Sequence, residues 1–527
     1  MLLIRAEFSP NPHHRLSAHL HRQCQAYLEE VSTLPSTVEP STRLRRISQQ
    51  KPEPMVSPSM ELPLAIEVDT YCKGFQRLID AVSPNAFYDS DNRADPPKCH
   101  PNTRVAVINK ITDWATGMND TNALILWLYG PAGTGKTAIA RKVAELFAVD
   151  HFLLASFLFF RSDANRNTMK PVGANIAYCV SCVIPAAHNL IEATMEADPL
   201  ILTYSVEVQL TKLVFEPLRL LTDNGYFSNT QFPQLVVIDG LDECLDKGAQ
   251  TNLIQFLASS MPRYQLPLKF LIVSRPEAHI KSAITLASDQ LTILHMELNN
   301  DFLPDQDIRR FLTDKFREIK KCHPFRSGIP HLWPSEQQMN TIISKASGQF
   351  IYASLAVRFI NSACNSPMRQ LDIVLELRPP INNHLPFAEL DTLYMFILSC
   401  TTQLDLVLHI LGVNEALQFG GGDNYVTTIE TVLGLEGGDI RIYLSPLNSL
   451  LEIREYRHDH NIVFYHSSFM DFLRTPERST DYFIARPKCH ALITQSMLQI
   501  FTSNSMFSIF SYLIVLNNIL NRFGPQV

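Results

Sequence analysis

The chain has 527 residues, 46% of them hydrophobic and 18% charged, with a formal net charge of −7. That apolar content over that length supports more than one core, makes three domains the natural division and excludes a wholly disordered chain. Mild acidity without a long Lys/Arg stripe argues against nucleic acid as the main partner, and ten cysteines scattered through a chain with no clear secretory signal point to reduced thiols and a cytoplasmic location.

Residues 1–70 mix Pro, Ser, Thr, His and Arg without sustained periodicity, and read as a disordered leader in which no core starts. Acids are sparse at the extreme N-terminus, as in a mitochondrial presequence, but Pro10 and Pro12 interrupt any amphipathic helix there. The basic cluster Arg45-Arg46-Ile47-Ser48 reads as solvated tail rather than as a kinase site. Residues 71–120 form a helical lead-in. A helix begins near Tyr71 and stops at Pro84, a polar loop follows, and Thr103-Arg104 opens a second helix whose Val107, Ile108, Ile111 and Trp114 recur at helical spacing.

Residues 121–299 carry the chemistry. The apolar run Leu124 to Tyr129 leads into Gly130, Pro131, Ala132, Gly133, Thr134, Gly135, Lys136 and Thr137, which match G-x-x-x-x-G-K-[ST] at every fixed position, and a helix-forming stretch from Ala138 to Ala148 follows. Such a loop lets backbone N–H groups converge on nucleotide phosphates at a helix N-terminus. Lys136 is placed for the β/γ oxygens and the Thr137 hydroxyl for Mg²⁺. A second apolar run, Leu235 to Ile238, ends on Asp239 and continues Gly240-Leu241-Asp242-Glu243, the pattern of a buried parallel strand with carboxylates at its ligand end. Asp239 would orient Mg²⁺, and Asp242 or Glu243 would polarise the attacking water; a solvated acidic turn is the bland alternative. A third run, Phe270 to Val273, ends in Ser274-Arg275-Pro276, which puts Arg275 at the ligand edge as a γ-phosphate sensor or, more plainly, a surface salt bridge. Strands over Phe152–Phe160, Leu235–Asp239, Lys269–Ser274 and Leu291–Leu298 alternate with helical segments, which predicts an α/β fold: a parallel sheet of the P-loop NTPase type flanked by helices. Cys179-Val180-Ser181-Cys182 has no second pair at zinc-ribbon spacing and sits in an apolar helical context, so no metal or redox role is assigned to it.

Residues 300–378 read as a small helical domain, with helices over Ile308–Ile319, Glu336–Ala346 and Phe350–Ile360 and Pro379-Pro380 closing it. Residues 379–480 have room for a winged-helix-like domain. Residues 481–527 form an apolar tail in which Ala491 to Asn521 carries no charge; a membrane helix needs about 20 consecutive apolar residues, and Asn504, Ser505, Asn517 and Asn518 interrupt this one. A core or partner-facing helix fits better than a membrane anchor. No WD40, ankyrin or TPR period follows residue 480.

GPAGTGKT, then LVVIDGLDEC, then KFLIVSRPEAHI, in that order, resemble the NACHT and nephrocystin-3-like NTPases, fungal members above all. Cys99 to Arg104 with Trp114, ASFLFFRSDANRN, and Lys345 to Ile360 (KASGQFIYASLAVRFI) are similar to the same group, so that the resemblance spans about Phe87 to Leu473. It implies a STAND-class switch in which a nucleotide-binding domain, a helical domain and a winged helix enclose ATP or GTP with Mg²⁺, and nucleotide exchange drives opening and self-association, in signalling or innate-immunity-like responses with an unknown partner. It also implies that His466, after Ile462 to Tyr465, touches the β-phosphate of a bound diphosphate; an imidazole that caps the next helix is the alternative. Thr103 and Arg104 match a motif near the base in relatives, or form a helix cap with a solvated arginine. The family's Gly-x-Pro motif is missing at Gly348-Gln349-Phe350-Ile351, which leaves the base open, and its C-terminal sensor repeats are not found. A slow switch NTPase is the expected function. A non-hydrolysing nucleotide-binding scaffold is the alternative, and an AAA-type motor a third.

Overall fold

In the computed structural model, five short apolar runs lie side by side as parallel strands: β1 (Ile125–Tyr129), β2 (Leu153–Leu158), β3 (Leu235–Asp239), β4 (Lys269–Ser274) and β5 (Ile293–Glu297), in the order β2-β3-β4-β1-β5. The runs of β1 to β4 are almost wholly buried and accordingly continuous in hydrophobicity rather than alternating, as expected for a sheet covered on both faces. The structure describes residues 73–485 except 91–97, 119–121, 162, 229–233, 267, 299–301, 380–386, 421–424 and 457–458, together with 489, 492, 493 and 496. The leader, the two basic-cluster and presequence readings, and most of the apolar tail lie outside the described residues.

Helices α1 (Lys73–Ala81) and α2 (Val105–Thr116) precede the sheet. Trp114 of α2 is buried, donates its indole N–H to the Ala123 carbonyl at 2.7 Å, and offers its own carbonyl to the Lys269 ammonium at 2.5 Å, so the lead-in is pinned to the start of β4. Helix α3 (Lys136–Val149) follows the phosphate-loop motif and packs its Ile139, Ala140, Val143 and Phe147 into the same layer. The other face is covered by α4 (Val172–Val183), α5 (Pro185–Ala197), α6 (Val206–Leu210), which continues through a π turn at Thr211–Phe215 into α7 (Glu216–Asp223), and α8 (Lys247–Tyr264), with α9 (Ala278–Ser288) leading to β5. These helices on two faces of a parallel sheet are the predicted α/β P-loop NTPase fold. The strand expected over Phe152–Phe160 is shorter: the Phe159 N–H still reaches the Asp239 carbonyl at 2.8 Å, but the Phe160 N–H turns to the Arg166 carbonyl at 3.2 Å and the chain leaves the sheet.

After the sheet come α10 (Pro304–Cys322), α11 (Glu336–Ala346), α12 (Phe350–Ile360) and α13 (Pro367–Glu376). A capping box of Ser335 and Gln338 starts α11. The sequence reading named three helices here; α13, opened by Pro367 at its first turn, is the fourth. The C-terminal segment contains α14 (Ala388–Ser399), α15 (Leu404–Gly420), α16 (Val426–Leu433) and α17 (Asp439–Leu444), then an antiparallel hairpin of β6 (Leu451–Tyr456) and β7 (Asp459–Phe464), then α18 (Ser467–Leu473) and α19 (Pro476–Ser479). A bridge between Tyr425 and Asn461 joins the hairpin to the start of α16. One apolar core runs through α10–α18.

No single described helix is long and apolar enough to cross a membrane. The bent pair α14–α15 passes by length and composition, but its Leu393, Tyr394, Ile397, Ile410 and Leu411 are buried in this core. Asp391 on α14 is fully buried and receives a two-pronged bond from Arg478 of α19, 3.0 Å from Nε and 2.6 Å from a terminal nitrogen. Removing one member of such a buried pair strands the other charge. We therefore expect Asp391→Ala to cost about 3–5 kcal/mol of stability, read as a lowered midpoint in denaturant unfolding at neutral pH.

Candidate functional site

Parallel strands deliver their following loops to one edge of a sheet, and here that edge opens on a cavity of about 1160 Å³. Lys136 and Thr137 reach it from the loop after β1. Asp239, Asp242 and Glu243 come from the end of β3, and Arg275 from the end of β4. Thr103 and Arg104 line it from the lead-in, and His466 closes it from the C-terminal segment. Every residue assigned a nucleotide or Mg²⁺ role from the sequence outside the loop itself therefore lines one space; within the loop, Ala132, Gly133 and Gly135 line it too, whereas Gly130, Pro131 and Thr134 do not.

The loop's conformation is set by glycine. Gly133 (φ +79°) and Gly135 (φ +88°) occupy left-handed backbone that L side chains avoid. A Cβ on Gly133 would lie 2.2 Å from the Ile351 side chain, and the Ile351 N–H donates to the Gly133 carbonyl at 3.3 Å, so the first turn of α12 sits directly on the loop. A Cβ on Gly135 would meet nothing within 4 Å, which leaves the loop open towards the cavity where the 14-residue α3 begins. Unbonded N–H groups of a helix N-terminus, a lysine, a hydroxyl and a buried carboxylate make a donor set that fits a nucleotide phosphate with its Mg²⁺. The Lys136 ammonium donates to the Gly130 and Pro131 carbonyls, both at 2.8 Å; burial pushes its pKa down to about 8 against the opposing pull of Asp242. The Thr134 hydroxyl donates to the Pro131 carbonyl at 3.0 Å.

Arg104 departs from the helix-cap alternative. It is 5% exposed, adopts left-handed backbone (φ +59°), donates to the Thr134 carbonyl at 2.8 Å, lies 4.7 Å from the centre of the Phe350 ring, and its own N–H donates to Asp307 of α10 at 2.9 Å. It is thus a buried bolt joining lead-in, phosphate loop and helical segment, not a solvated residue. Thr103 caps nothing: its hydroxyl donates to the His100 carbonyl at 2.7 Å.

Among the acids, Asp239 is 1% and Asp242 5% exposed, so the solvated-turn alternative fails for both. One Asp242 oxygen accepts from the Arg275 backbone N–H at 2.8 Å and the other faces Arg275 Nε at 3.3 Å. Glu243 accepts from the Arg161 N–H at 3.0 Å; desolvation, then the neighbouring Asp242, raises its pKa above the usual carboxylate range. Arg275 is not a surface salt bridge. A terminal nitrogen donates to Asp471 of α18 at 2.6 Å, and although burial works against its charge, Asp471, Asp242 and Glu243 together hold it more firmly protonated than usual.

Two residues of this cluster were missed from the sequence. Arg161, just past β2, donates to the Asp242 carbonyl at 2.9 Å and faces the other Asp471 oxygen at 3.7 Å. Arg161 sits inside one of the strings that carried the family resemblance and Asp471 within its span, but nothing in one sequence says that residues this far apart meet. Cys179 and Cys182 are free thiols, and no His/Cys/Asp/Glu group among the described residues is arranged to hold a metal by itself.

Residues 106–275 match the family model described as Nephrocystin 3, N-terminal. This nephrocystin-3-like stretch covers about a third of the chain, starts inside α2 and ends on Arg275, so the phosphate loop, Asp239 to Glu243 and the β4 arginine all fall within it. No curated protein matches the chain. Among solved structures, Cdc6p from Pyrobaculum aerophilum is 13% identical over 76% of this chain and 96% of its own, with a TM-score of 0.34. The Aeropyrum pernix ORC1 protein, solved in complex with DNA, is 14% identical over 78% and 96%, with a TM-score of 0.33. At such scores these likenesses say nothing about what this chain binds. The sheet order, the loop and the matched stretch make residues 106–275 a P-loop NTPase-like nucleotide-binding fold, a class that uses nucleotide with Mg²⁺.

His466 fits the helix-cap alternative, and it also lines the cavity. Its Nδ1 accepts from the Ser468 N–H at 3.0 Å and so caps α18, which leaves the proton of the neutral ring on Nε2. Desolvation, then the nearby Arg275, pushes its pKa down to about 4 despite Asp471. The unfolded chain titrates near about 6.5, so between those values the unfolded state binds a proton that the folded state refuses, and stability falls as pH drops through that window. His466→Asn keeps a capping acceptor without the titration. We expect the variant to lose less stability than wild type between pH 6.5 and 4, measured by parallel denaturant titrations.

Proposed function

We propose that the chain is a nucleotide-dependent switch of the STAND kind, with a NACHT-type nucleotide-binding domain over 121–299, a small helical domain over 300–378 and a winged-helix-like domain over 379–480. In this reading it binds Mg·NTP, hydrolyses it slowly, and couples the nucleotide to opening and self-association in a cytoplasmic signalling role. The observation that carries the reading is that His466, from the far C-terminal segment, lines the same cavity as Lys136 of the phosphate loop. A cleft closed by its own C-terminal segment suits a protein whose shape answers to what the cleft holds.

A bound Mg·NTP supplies the transferable γ-phosphoryl group and a metal that neutralises its oxygens. The chain's residues divide the rest. The loop N–H groups from Gly130 to Thr137 and the start of α3 grip the phosphates, and Lys136 exchanges its two carbonyl partners for phosphate oxygens. Thr137 and Asp239 hold Mg²⁺. Glu243, whose raised pKa suits a group that must take up a proton at neutral pH, is the base for the attacking water, with Asp242 fixing Arg275 beside it. Arg275 reads the terminal phosphate, and the Nε2 proton of His466 is aimed at a diphosphate. Thr103 and Arg104 frame the base end without fixing whether ATP or GTP is bound.

Three measurements test this. Lys136→Ala should weaken Mg·ATP or Mg·GTP binding at least tenfold by equilibrium titration, since a charge-assisted phosphate contact is worth about 1.5–3 kcal/mol. Single-turnover phosphate release should slow about a hundredfold or more in Glu243→Gln, within the usual range for removing a general base. Equal slow release by wild type and variant would replace the NTPase with a non-hydrolysing scaffold, and a nucleotide-independent ring on size exclusion would replace the switch with a motor.

A further inference from the structure

The cavity extends well past the nucleotide site described above. Its volume of about 1160 Å³ exceeds the range of about 300–1,000 Å³ usual for small-molecule sites, and its lining leaves the phosphate loop along two elements at once. On α12 it runs from Ile351, seated on Gly133, past Arg358 to Asn361 just beyond the helix, about 15 Å at about 1.5 Å per residue. On the opposite side it follows β7 back from His466 to Asn461 and crosses the hairpin to Arg454. The space therefore has a second lobe between α12 and the hairpin, with His466 at the junction.

Tyr465 organises this lobe. The Arg358 guanidinium lies over its ring, 3.8 Å from the centre. Its hydroxyl donates to one Glu452 oxygen at 3.2 Å, and the other Glu452 oxygen faces Arg454 Nε at 3.3 Å. Strand pairing sets Glu452 opposite Val463 and Arg454 opposite Asn461, so these side chains share one face of the hairpin with Tyr465. Both arginines line the cavity and Glu452 does not, so the acid orients Arg454 without entering the space. A guanidinium stacked on a ring uses its face for the ring and directs its N–H edge sideways, the geometry that takes an oxyanion. In the same lobe the Asn461 Oδ1 and Ser449 Oγ atoms are buried with no hydrogen-bond partner among the described residues. Orphaned buried polar atoms are uncommon in native structures unless a further group completes them. A molecule bearing both an oxyanion and hydroxyl groups answers both features: the acid group meets the arginines, and the hydroxyls serve the amide oxygen and the serine.

We infer that the second lobe is a binding site for a small hydroxylated organic oxyanion, a sugar phosphate or a sugar acid, held by Arg358 and Arg454 around Tyr465 and by Asn461 and Ser449. Phosphate esters and carboxylates share the required chemistry, because the planar donor fork of arginine suits either. The site stands apart from the nucleotide reading. Its floor, α12, nonetheless touches the phosphate loop at Gly133, and its wall, β7, leads into His466, so an occupant contacts the two elements that frame the nucleotide cleft.

Equilibrium dialysis of the full chain against glucose 6-phosphate, gluconate and glucose tests the assignment. At least one of the two anions should bind and glucose should not, and the preferred anion tells phosphate from carboxylate. Arg358→Gln and Arg454→Gln should each weaken that anion about tenfold or more, the worth of one charge-assisted contact. Lys136→Ala, which alters the phosphate loop alone, should leave its affinity unchanged. Loss of the anion in Lys136→Ala places it in the phosphate loop and overturns the inference, as does binding of glucose equal to that of the anions, or binding of neither anion. Should the arginine variants fail to fold, the nearly isosteric Asn461→Asp decides: a carboxylate opposite Arg454 must weaken the anion about tenfold, and an unmoved affinity refutes the site. Failure of Mg·ATP and Mg·GTP to bind while the anion still binds sinks the switch reading alone.

Discussion

A charge removed from water must be matched where it stands, and the carboxyl edge of this sheet is organised around that requirement. Arg275 cannot sit where β4 delivers it without Asp242 on one side and Asp471 on the other. Asp242 in turn is fixed by the Arg275 backbone and by the turn that carries Glu243, and Glu243 by the backbone of Arg161. The ends of three strands and one distant helix thus form a single network of alternating charge. Its members depend on one another, so disturbing any one leaves a neighbour desolvated and unmatched.

How much of this was legible in the sequence depends on how local the signal was. The phosphate loop, the carboxylates after Ile238 and the arginine after Val273 are each announced by an apolar run that ends on them, because a strand buried on both faces must be continuously apolar and its first polar residue marks the ligand edge. The sheet, the helices α11 and α12 and the general α/β class were legible for the same reason. Arg161 and Asp471 were not. They lie in comparable stretches, but their meaning resides in a meeting across more than three hundred residues of chain, which periodicity cannot encode. Arg104 was half legible: its position near the loop could be guessed, whereas its left-handed backbone and its burial against Phe350 arise only once α10 and α12 have docked.

His466 illustrates how a capping bond fixes more than the start of a helix. As a helix cap it must offer an acceptor to Ser468, and offering Nδ1 decides the tautomer. The capping bond, a matter of secondary structure, therefore determines which ring atom carries the hydrogen of the neutral ring. Ser468 is further tied to Tyr394 through a 2.8 Å contact between their hydroxyls, so the ring is oriented from deep within the C-terminal core.

The seating of Ile351 on Gly133 has a mechanical consequence. A loop that wraps a ligand ordinarily adjusts by small backbone movements that die out within a few residues. Here the space in which a Cβ would stand is already taken by an isoleucine side chain belonging to a helix of a different segment, and a main-chain hydrogen bond spans the same contact. There is no slack between the two surfaces. The loop and α12 therefore meet as meshed teeth, and α12 belongs to the same continuous core as the helices and hairpin that follow it, so the geometry of the phosphate loop is tied to the packing of the C-terminal half of the molecule.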